Sequence, residues 1–144
     1  MKKNNLKNKV ICIILARGGS KGLKDKNLIN LSGKPLIAYS IEASKMSKYI
    51  SRTIVSTDSE KIKKIALSYQ AEVPFVRPHK FSQDSSTSED ALIHAIDWLE
   101  KEEKYFPDIV VYLQVTDPFR KKGMIDKCIK KLIDDPNLDS AFMG

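Results

Sequence analysis

An apolar run that ends abruptly in a glycine-rich, lysine-rich loop constrains the fold more than any other stretch of this chain. Residues 10–16 read VICIILA, so they are uniformly apolar, isoleucine is prominent, and the alternation of a half-exposed strand is missing. A run of this kind predicts a β-strand buried on both faces, and such strands lie in the middle of sheets in α/β proteins. We therefore expect a central strand here.

The loop that follows, residues 17–27, has the composition of a phosphate cradle. Gly18, Gly19 and Gly22 lack a Cβ atom, which lets backbone N–H groups approach a ligand closely. Ligands of open α/β sheets bind at the carboxyl ends of strands, which is where this loop begins. Positive charge is added by the side chains of Arg17, Lys21, Lys24 and Lys26.

The spacing of the loop matches neither of the two common nucleotide-binding patterns. Gly22 is followed by Leu23, which excludes a Walker A loop, and the adjacent Gly18 and Gly19 exclude the dinucleotide pattern. The alternative therefore stays open that the loop is a tight solvated turn whose lysines only maintain solubility.

The charge and composition of the chain narrow the choice of partners. The net charge of +7 is spread over the predicted helices as well as the loop, which favours an anionic small molecule over a nucleic acid. Residues 1–8 are expected to be a disordered basic leader, because the apolar run after them lacks the cleavage site of a signal peptide. No stretch is long enough to span a membrane, so we expect a cytoplasmic protein without a membrane partner. Cys12 and Cys128 are expected to be packing thiols.

The rest of the chain alternates predicted strands and helices. Further strands are predicted at 53–57, at 72–77 as a shorter strand, at 109–115 and, as a beginning only, at 140–143. Helices are predicted to start at Pro35, after a capping box of Thr57 and Glu60, after a second box of Ser86 and Glu89, and at 124–134. Residues 79–88 are predicted to be a mobile loop near the site or a linker.

This alternation predicts an α/β fold with right-handed crossovers and a largely parallel sheet covered by helices on both faces. We expect one domain over residues 9–144. Because a strand begins at the last residues, we expect this to be the front part of a longer domain, or a natural truncation of one.

Six motifs stand in register along the chain: Leu15-Ala16-Arg17-Gly18-Gly19-Ser20-Lys21-Gly22, Lys26-Asn27, Gly33-Lys34-Pro35-Leu36-Ile37, Val55-Ser56-Thr57-Asp58, Arg77-Pro78 and Leu113-Gln114-x-Thr116-x-Pro118-x-Arg120. Together they resemble the N-acylneuraminate cytidylyltransferase family, also known as CMP-sialic acid synthetases. The resemblance implies a three-layer, Rossmann-like nucleotidyltransferase fold. It also implies that CTP reacts with an acidic nine-carbon sugar to give CMP-sugar and pyrophosphate, with Mg²⁺ as cofactor.

The resemblance also implies a role for individual residues. Arg17 and Lys21 are expected to be catalytic by holding the triphosphate, and Arg77 to read the cytosine or ribose side. Acidic-sugar contacts are expected from Gln114, Thr116 and Asp117. The remaining expected nucleotide-binding residues are Leu15, Ala16, Gly18, Gly19, Ser20, Gly22, Asn27, Thr87 and Ser88.

Two positions depart from the family pattern and leave the sugar open. Lys24 stands where the family commonly has proline, and Asp117 where it commonly has a hydroxyl. The metal carboxylates and the dimerising hairpin of the family are expected beyond Gly144. Asp58 is interpreted as a helix-capping carboxylate in preference to a metal ligand. Asp117 could touch sugar or metal, or cap the segment before Pro118.

Neither of the two histidines is expected to be catalytic. His94 is interpreted as a packing or surface residue, and His79 as a loop residue without triad partners.

One alternative function is a cytidylyltransferase for pseudaminic or legionaminic acid. An eight-carbon sugar is disfavoured because the motif at residues 15–21 does not match that branch of the family. The other is a truncated, non-catalytic nucleotide-binding module.

Overall fold

The computed structural model describes residues 8–18, 26–83, 85–115 and 123–141. Its strands are β1 (Val10–Leu15), β2 (Asn30–Leu31), β3 (Lys34–Pro35), β4 (Arg52–Ser56) and β5 (Ile109–Gln114). Its helices are α1 (Leu36–Lys45), α2 (Glu60–Ser68), α3 (Ser88–Glu103) and α4 (Met124–Asp134), with short 3-10 helices at Lys26–Leu28 and His79–Phe81. Of the expected leader, residues 1–8, only Asn8 lies within the described residues.

The main sheet is parallel and has the order β4-β1-β5, so the apolar run is its central strand as predicted. Leu15 at the end of β1 is paired with Ser56 on one side and with Gln114 on the other. The carboxyl ends of all three strands therefore meet at one edge of the sheet. This register positions the loops that build the candidate site.

Alternate side chains of β1 enter two different hydrophobic clusters, which confirms the expected three layers. Val10, Cys12 and Ile14 face α1, α2 and α4, whereas Ile11 and Ile13 face α3. These five side chains are at most 1% exposed. A strand that buries both of its faces needs no polar alternation, which explains the continuous apolar run.

Two helix starts differ by one or two residues from the predicted capping boxes. The N-cap of α2 is Ser59, whose hydroxyl accepts a hydrogen bond from the Ile62 amide at 3.2 Å. The hydroxyl of Thr57 instead accepts from the Ser59 amide. The capping box of α3 joins Thr87 to Asp90 rather than Ser86 to Glu89. Neighbouring Ser and Thr residues have similar capping ability, so sequence alone locates such boundaries only approximately.

The predicted strand at 72–77 is wrong, because this segment pairs with β4 through a single bridge between Ile54 and Glu72. Glu72 donates to the Thr53 carbonyl and accepts from the Val55 amide. Pro74 follows two residues later and has no N–H to continue a ladder. The chain meets the sheet again where the Arg77 amide donates to the Thr57 carbonyl at 3.0 Å.

The connections between the main elements include a hairpin and a short 3-10 helix. β2 and β3 form a two-residue hairpin whose turn residues, Ser32 and Gly33, both have positive φ angles of 54° and 90°. Such a turn matches the twist of the strands that it joins. The expected mobile loop at 79–88 contains the short helix His79–Phe81. Ser140 and Ala141 belong to no regular element, and the rest of the expected last strand lies outside the described residues.

The structure also bears on the expectations for the two cysteines and for membrane-spanning segments. Neither Cys12 nor Cys128 forms a disulfide within the described residues, and Cys12 is buried in β1. Within the described ranges, none of the helices has the length and apolarity needed to cross a membrane.

Candidate functional site

A polar cavity of about 410 Å³ opens at the carboxyl ends of β1 and β5. The described side chains that line it include three cations, those of Arg17, Lys26 and Arg77, and no carboxylate. The full lining is Leu15, Arg17, Lys26, Asn27, Arg77, Phe81, Gln83, Ser86, Thr87, Ser88, Ala91, Tyr112, Gln114 and Val115. A cavity with this charge suits a polyanion.

Seven of the predicted site residues come together in this lining: Leu15, Arg17, Asn27, Arg77, Thr87, Ser88 and Gln114. Ala16 is 1% exposed beside the cavity, and its amide donates to the Ser56 carbonyl at 3.0 Å. Gly18 follows at the start of the loop without lining the cavity. The other predicted site residues lie outside the described residues: Gly19, Ser20, Lys21, Gly22, Thr116 and Asp117.

The base of the glycine-rich loop is held by Asn27. Its side-chain amide Nδ2 donates to the Arg17 carbonyl at 2.9 Å, and the residue is 6% exposed. A buried amide that bonds to the backbone ten residues earlier fixes the two ends of the loop relative to each other. Asn27 therefore positions the loop at the same time as it lines the cavity.

The Gly18 amide is already engaged, because it donates to Asp58 Oδ1 at 2.8 Å. This hydrogen bond occupies the backbone N–H of a residue that is expected to bind the nucleotide. The interpretation of Asp58 as a helix cap is wrong, because Ser59 caps α2. The Asp58 carboxylate instead ties the loop to the end of β4.

Gly18 leaves no room for a side chain, since a Cβ built there would lie 2.8 Å from the Ser59 Cβ atom. We expect Gly18→Ala to lower the free energy of unfolding by about 1–2 kcal/mol, because overpacking forces the backbone to shift. Chemical denaturation measures this loss. The Ser59→Gly background is the control: glycine is a tolerated N-cap, and it removes the crowding atom. An equal loss in both backgrounds would contradict the steric explanation.

Arg77 is a buried arginine whose guanidinium donates hydrogen bonds to other groups of the protein. Its Nε donates to Ser56 Oγ at 3.0 Å and its Nη2 to the Ser56 carbonyl at 2.6 Å. The remaining Nη1 donates to the Phe81 carbonyl at 3.4 Å. Burial lowers the pKa of Arg77, the charge of Asp58 opposes this effect and the charge of Arg17 adds to it. Its main structural action is to hold the cavity wall.

The amino-terminal end of α3 forms the opposite wall. The Thr87 hydroxyl accepts from the Asp90 amide at 3.0 Å, so this predicted base contact is also the helix cap. Ser88 Oγ accepts a hydrogen bond from the Tyr112 hydroxyl at 3.2 Å, which joins α3 to β5. The two walls thus combine hydroxyl groups with the rings of Phe81 and Tyr112.

Sequence reasoning missed five polar or aromatic residues of this lining, although a signal existed for some of them. Tyr112 is a ring with a polar tip close to the end of a predicted strand, which is the edge where ligands bind. Lys26 was recognised only as a contributor of charge. The others are Phe81, Gln83 and Ser86, which lie in the stretch predicted to be a loop or linker.

No described group of three or more His, Cys, Asp or Glu side chains could hold a metal ion. Asp58 is the described carboxylate that reaches the loop, and it is engaged by the Gly18 amide. The described residues therefore do not by themselves make a site that fits Mg²⁺. Asp117, for which a metal contact was considered, lies outside the described residues.

The parallel order β4-β1-β5, with a cationic cavity at its carboxyl edge, is the arrangement of an α/β protein whose ligand site lies at the strand ends. Residues 11–143 match the family model described as cytidylyltransferase, so the chain belongs to the cytidylyltransferase family. This match confirms the resemblance stated above, and the family is one of nucleotidyltransferases.

The relatives agree with this assignment. A pseudaminic acid cytidylyltransferase of Campylobacter jejuni is 40% identical over 127 residues, which cover 88% of this chain and 54% of that protein. An N-acylneuraminate cytidylyltransferase of Escherichia coli is 39% identical over 125 residues, covering 87% of this chain and 28% of that protein. The chain thus spans about half, or less, of the length of these curated relatives.

A solved structure shows the fold. A CMP:2-keto-3-deoxy-manno-octonic acid synthetase complexed with CTP superposes with a TM-score of 0.76 at 23% identity. The superposition covers 91% of this chain and 50% of that one. The expected Rossmann-like nucleotidyltransferase fold is therefore confirmed.

Proposed function

We propose that this chain binds CTP in the cavity at the carboxyl edge of the sheet and transfers its cytidylyl group to an acidic nine-carbon sugar. The observation that carries the proposal is the lining with three cations and no described carboxylate, in a chain of the cytidylyltransferase family. A triphosphate is the polyanion that this charge would attract. The two relatives named above carry a sialic-type acid in their names, and they differ in which one.

Most of the predicted site residues keep the expected role in this proposal, whereas those at the base of the loop act on nucleotide binding by positioning the loop. Arg17 and Lys21 bind the triphosphate together with the backbone of Gly19, Ser20 and Gly22. Leu15, Ala16 and Gly18 shape the start of the loop, and Asn27 fixes it. The base and ribose lie against Thr87, Ser88 and the wall held by Arg77, while Gln114, Thr116 and Asp117 face the sugar.

The reaction needs positioning and charge stabilisation more than covalent help from the protein. The anomeric hydroxyl oxygen of the sugar attacks the α-phosphorus and its proton is released to the solvent, while the bond from that phosphorus to the bridging oxygen breaks and pyrophosphate leaves with the bonding electrons. Negative charge grows on the leaving group in this step. Arg17 and Lys21 stabilise that charge because they bind the departing phosphates.

Mg²⁺ is proposed as the cofactor on the strength of the family alone. Proteins commonly bind Mg²⁺ through one or two carboxylates together with substrate phosphates, so an ion of this kind arrives with the nucleotide. We also propose that residues 9–144 belong to one nucleotidyltransferase domain, that the protein acts in the cytoplasm, and that the assembled enzyme is a homodimer. Neither a nucleic acid nor a membrane is proposed as a partner.

The decisive experiment supplies the purified chain with CTP, Mg²⁺ and a panel of acidic sugars, and measures pyrophosphate release. N-acylneuraminic, pseudaminic and legionaminic acids form the panel, and an eight-carbon acid is the negative control. Release with one nine-carbon sugar supports the proposal and identifies the substrate. Release with none of them, together with calorimetric binding of CTP, would favour the alternative of a non-catalytic nucleotide-binding module.

A further inference from the structure

The short helix His79–Phe81 separates the candidate nucleotide cavity from a second groove. Phe81 lines both spaces. The second groove, of about 290 Å³, follows the outer side of α3 and is lined by Phe81, Asp90, Ile93, His94, Asp97, Trp98, Lys101 and Glu102. A shift of the Phe81 side chain therefore changes the shape of both the cavity and the groove.

On the cavity side, the turn is held by two arginines. Arg77 Nη1 donates to the Phe81 carbonyl at 3.4 Å, and Arg17 Nη1 donates to the Ser82 carbonyl at 3.3 Å. Arg77 is itself 4% exposed and fixed by Ser56. The turn and the cationic lining of the cavity are thus parts of one connected structure.

On the groove side, the turn rests on an aromatic cluster built around His94. The Phe81 and His94 ring centroids are 5.4 Å apart, and the His94 and Phe75 ring centroids are 5.0 Å apart with their planes at 86°. Phe75 in turn contacts Trp98 at 5.3 Å. Aromatic pairs at these separations are favourable contacts. His94 lies between Phe81 and Phe75, so it links the turn to the sheet.

The environment of His94 favours its neutral form. His94 Nδ1 is buried and has no hydrogen-bond partner among the described residues. Burial lowers the pKa of His94, the charges of Arg77 and Lys80 lower it further, and Asp97 opposes them. The charged groups that act on His94 are Arg77, Lys80 and Asp97, and Asp90, Lys101 and Glu102 from α3 line the same groove.

We propose that His94 is a positioning residue. Its ring holds the Phe81 side chain, and with it the wall of the cavity, in the position in which the cavity binds the nucleotide. This inference rests on the proposed function. Proton uptake by His94 places a charge in the aromatic cluster and loosens the turn. The folded chain keeps His94 neutral to a pH below the ordinary histidine pKa of about 6.5, so nucleotide affinity is full at neutral pH and falls only below that value.

Three variants test this proposal by calorimetric titration with CTP and Mg²⁺ across this pH range. His94→Ala should weaken binding between about 2- and 12-fold at neutral pH, which is the range of one aromatic pair. His94→Phe keeps a ring that cannot be protonated, so its affinity should stay near that of the unmodified chain and lose its extra fall below about pH 6.5. Protonation of the nucleotide itself affects every variant alike and cancels in this comparison.

The chain offers a matched control and an independent reporter. It has two histidines, and His79→Gln, an exposed change on the same turn, should leave the fall in affinity intact. Trp98 is the sole tryptophan, so its fluorescence should change with acidification in the unmodified chain and in His79→Gln, but not in His94→Phe.

The outcomes separate this inference from the proposed function. Normal CTP affinity in His94→Ala, or the same fall with acid in His94→Phe, overturns the role of His94 and leaves the function standing. Failure of the unmodified chain to bind CTP at neutral pH overturns the proposed function and this inference with it.

Discussion

Arg17→Ala is expected to weaken CTP binding roughly 10- to 100-fold, which corresponds to the loss of about 1.5–3 kcal/mol for a hydrogen bond to a charged group. Arg17 leaves the central strand at the edge where the three strands end, and it lines the cavity. If the chain turns over, the rate should fall further, by about 10²–10³-fold, because charge grows on the leaving pyrophosphate. Calorimetry and pyrophosphate release measure the two effects.

The control for Arg17→Ala is Lys64→Ala, which removes the same charge from an exposed position on α2 outside the cavity lining. It should change affinity little, since exposed charges at a distance are screened by salt. Equal losses in the two variants would mean that net charge, and not the cavity, attracts the nucleotide. Lys21→Ala should behave like Arg17→Ala, and normal turnover in that variant would refute the role given to Lys21.

Arg77→Leu is expected to lower the free energy of unfolding by about 2–3 kcal/mol, because it leaves the buried Ser56 Oγ without its donor and removes one of the two donors to the Ser56 carbonyl, whose other donor is the Ala16 amide. Ser56 is fully buried, so water cannot replace the lost guanidinium. In a chain of this size the midpoint of thermal unfolding should fall by roughly 10 °C. Thermal denaturation followed by circular dichroism measures the shift.

Arg77→Lys is the informative companion to Arg77→Leu, because a lysine keeps the charge but cannot reach both Ser56 atoms with a fork of donors. An intermediate loss of stability is therefore expected. Lys64→Leu serves as the exposed control and should stay within about 0.5 kcal/mol of the unmodified chain. A stable Arg77→Leu protein that only binds CTP poorly would contradict the structural role and return Arg77 to direct nucleotide contact.

The fold was predictable where one physical signal dominated. The apolar run at 10–16 could be stable only inside a sheet, and the structure places it there with both faces covered. The segment at 72–77 misled because its apolar residues indicate a strand while Pro74 limits the pairing to one bridge. Capping positions shifted because Thr57 and Ser59, or Ser86 and Thr87, offer similar hydroxyls.

The site was predictable to the extent that its residues follow strand ends. Leu15, Arg17 and Gln114 meet because parallel strands end at one edge. The link from Gly18 to Asp58 and the burial of Arg77 against Ser56 depend on packing between distant segments. Phe81 was missed because a single aromatic residue in a polar stretch gives no periodic hydrophobic pattern.

The most direct test of the central claim is a crystal structure of the chain with CTP and Mg²⁺. The triphosphate is expected beside Arg17 and the glycine-rich loop, with the cytosine between the Thr87 side of α3 and the wall held by Arg77. Nucleotide bound in the groove beside Trp98, or anywhere away from the carboxyl edge of β1, would contradict it.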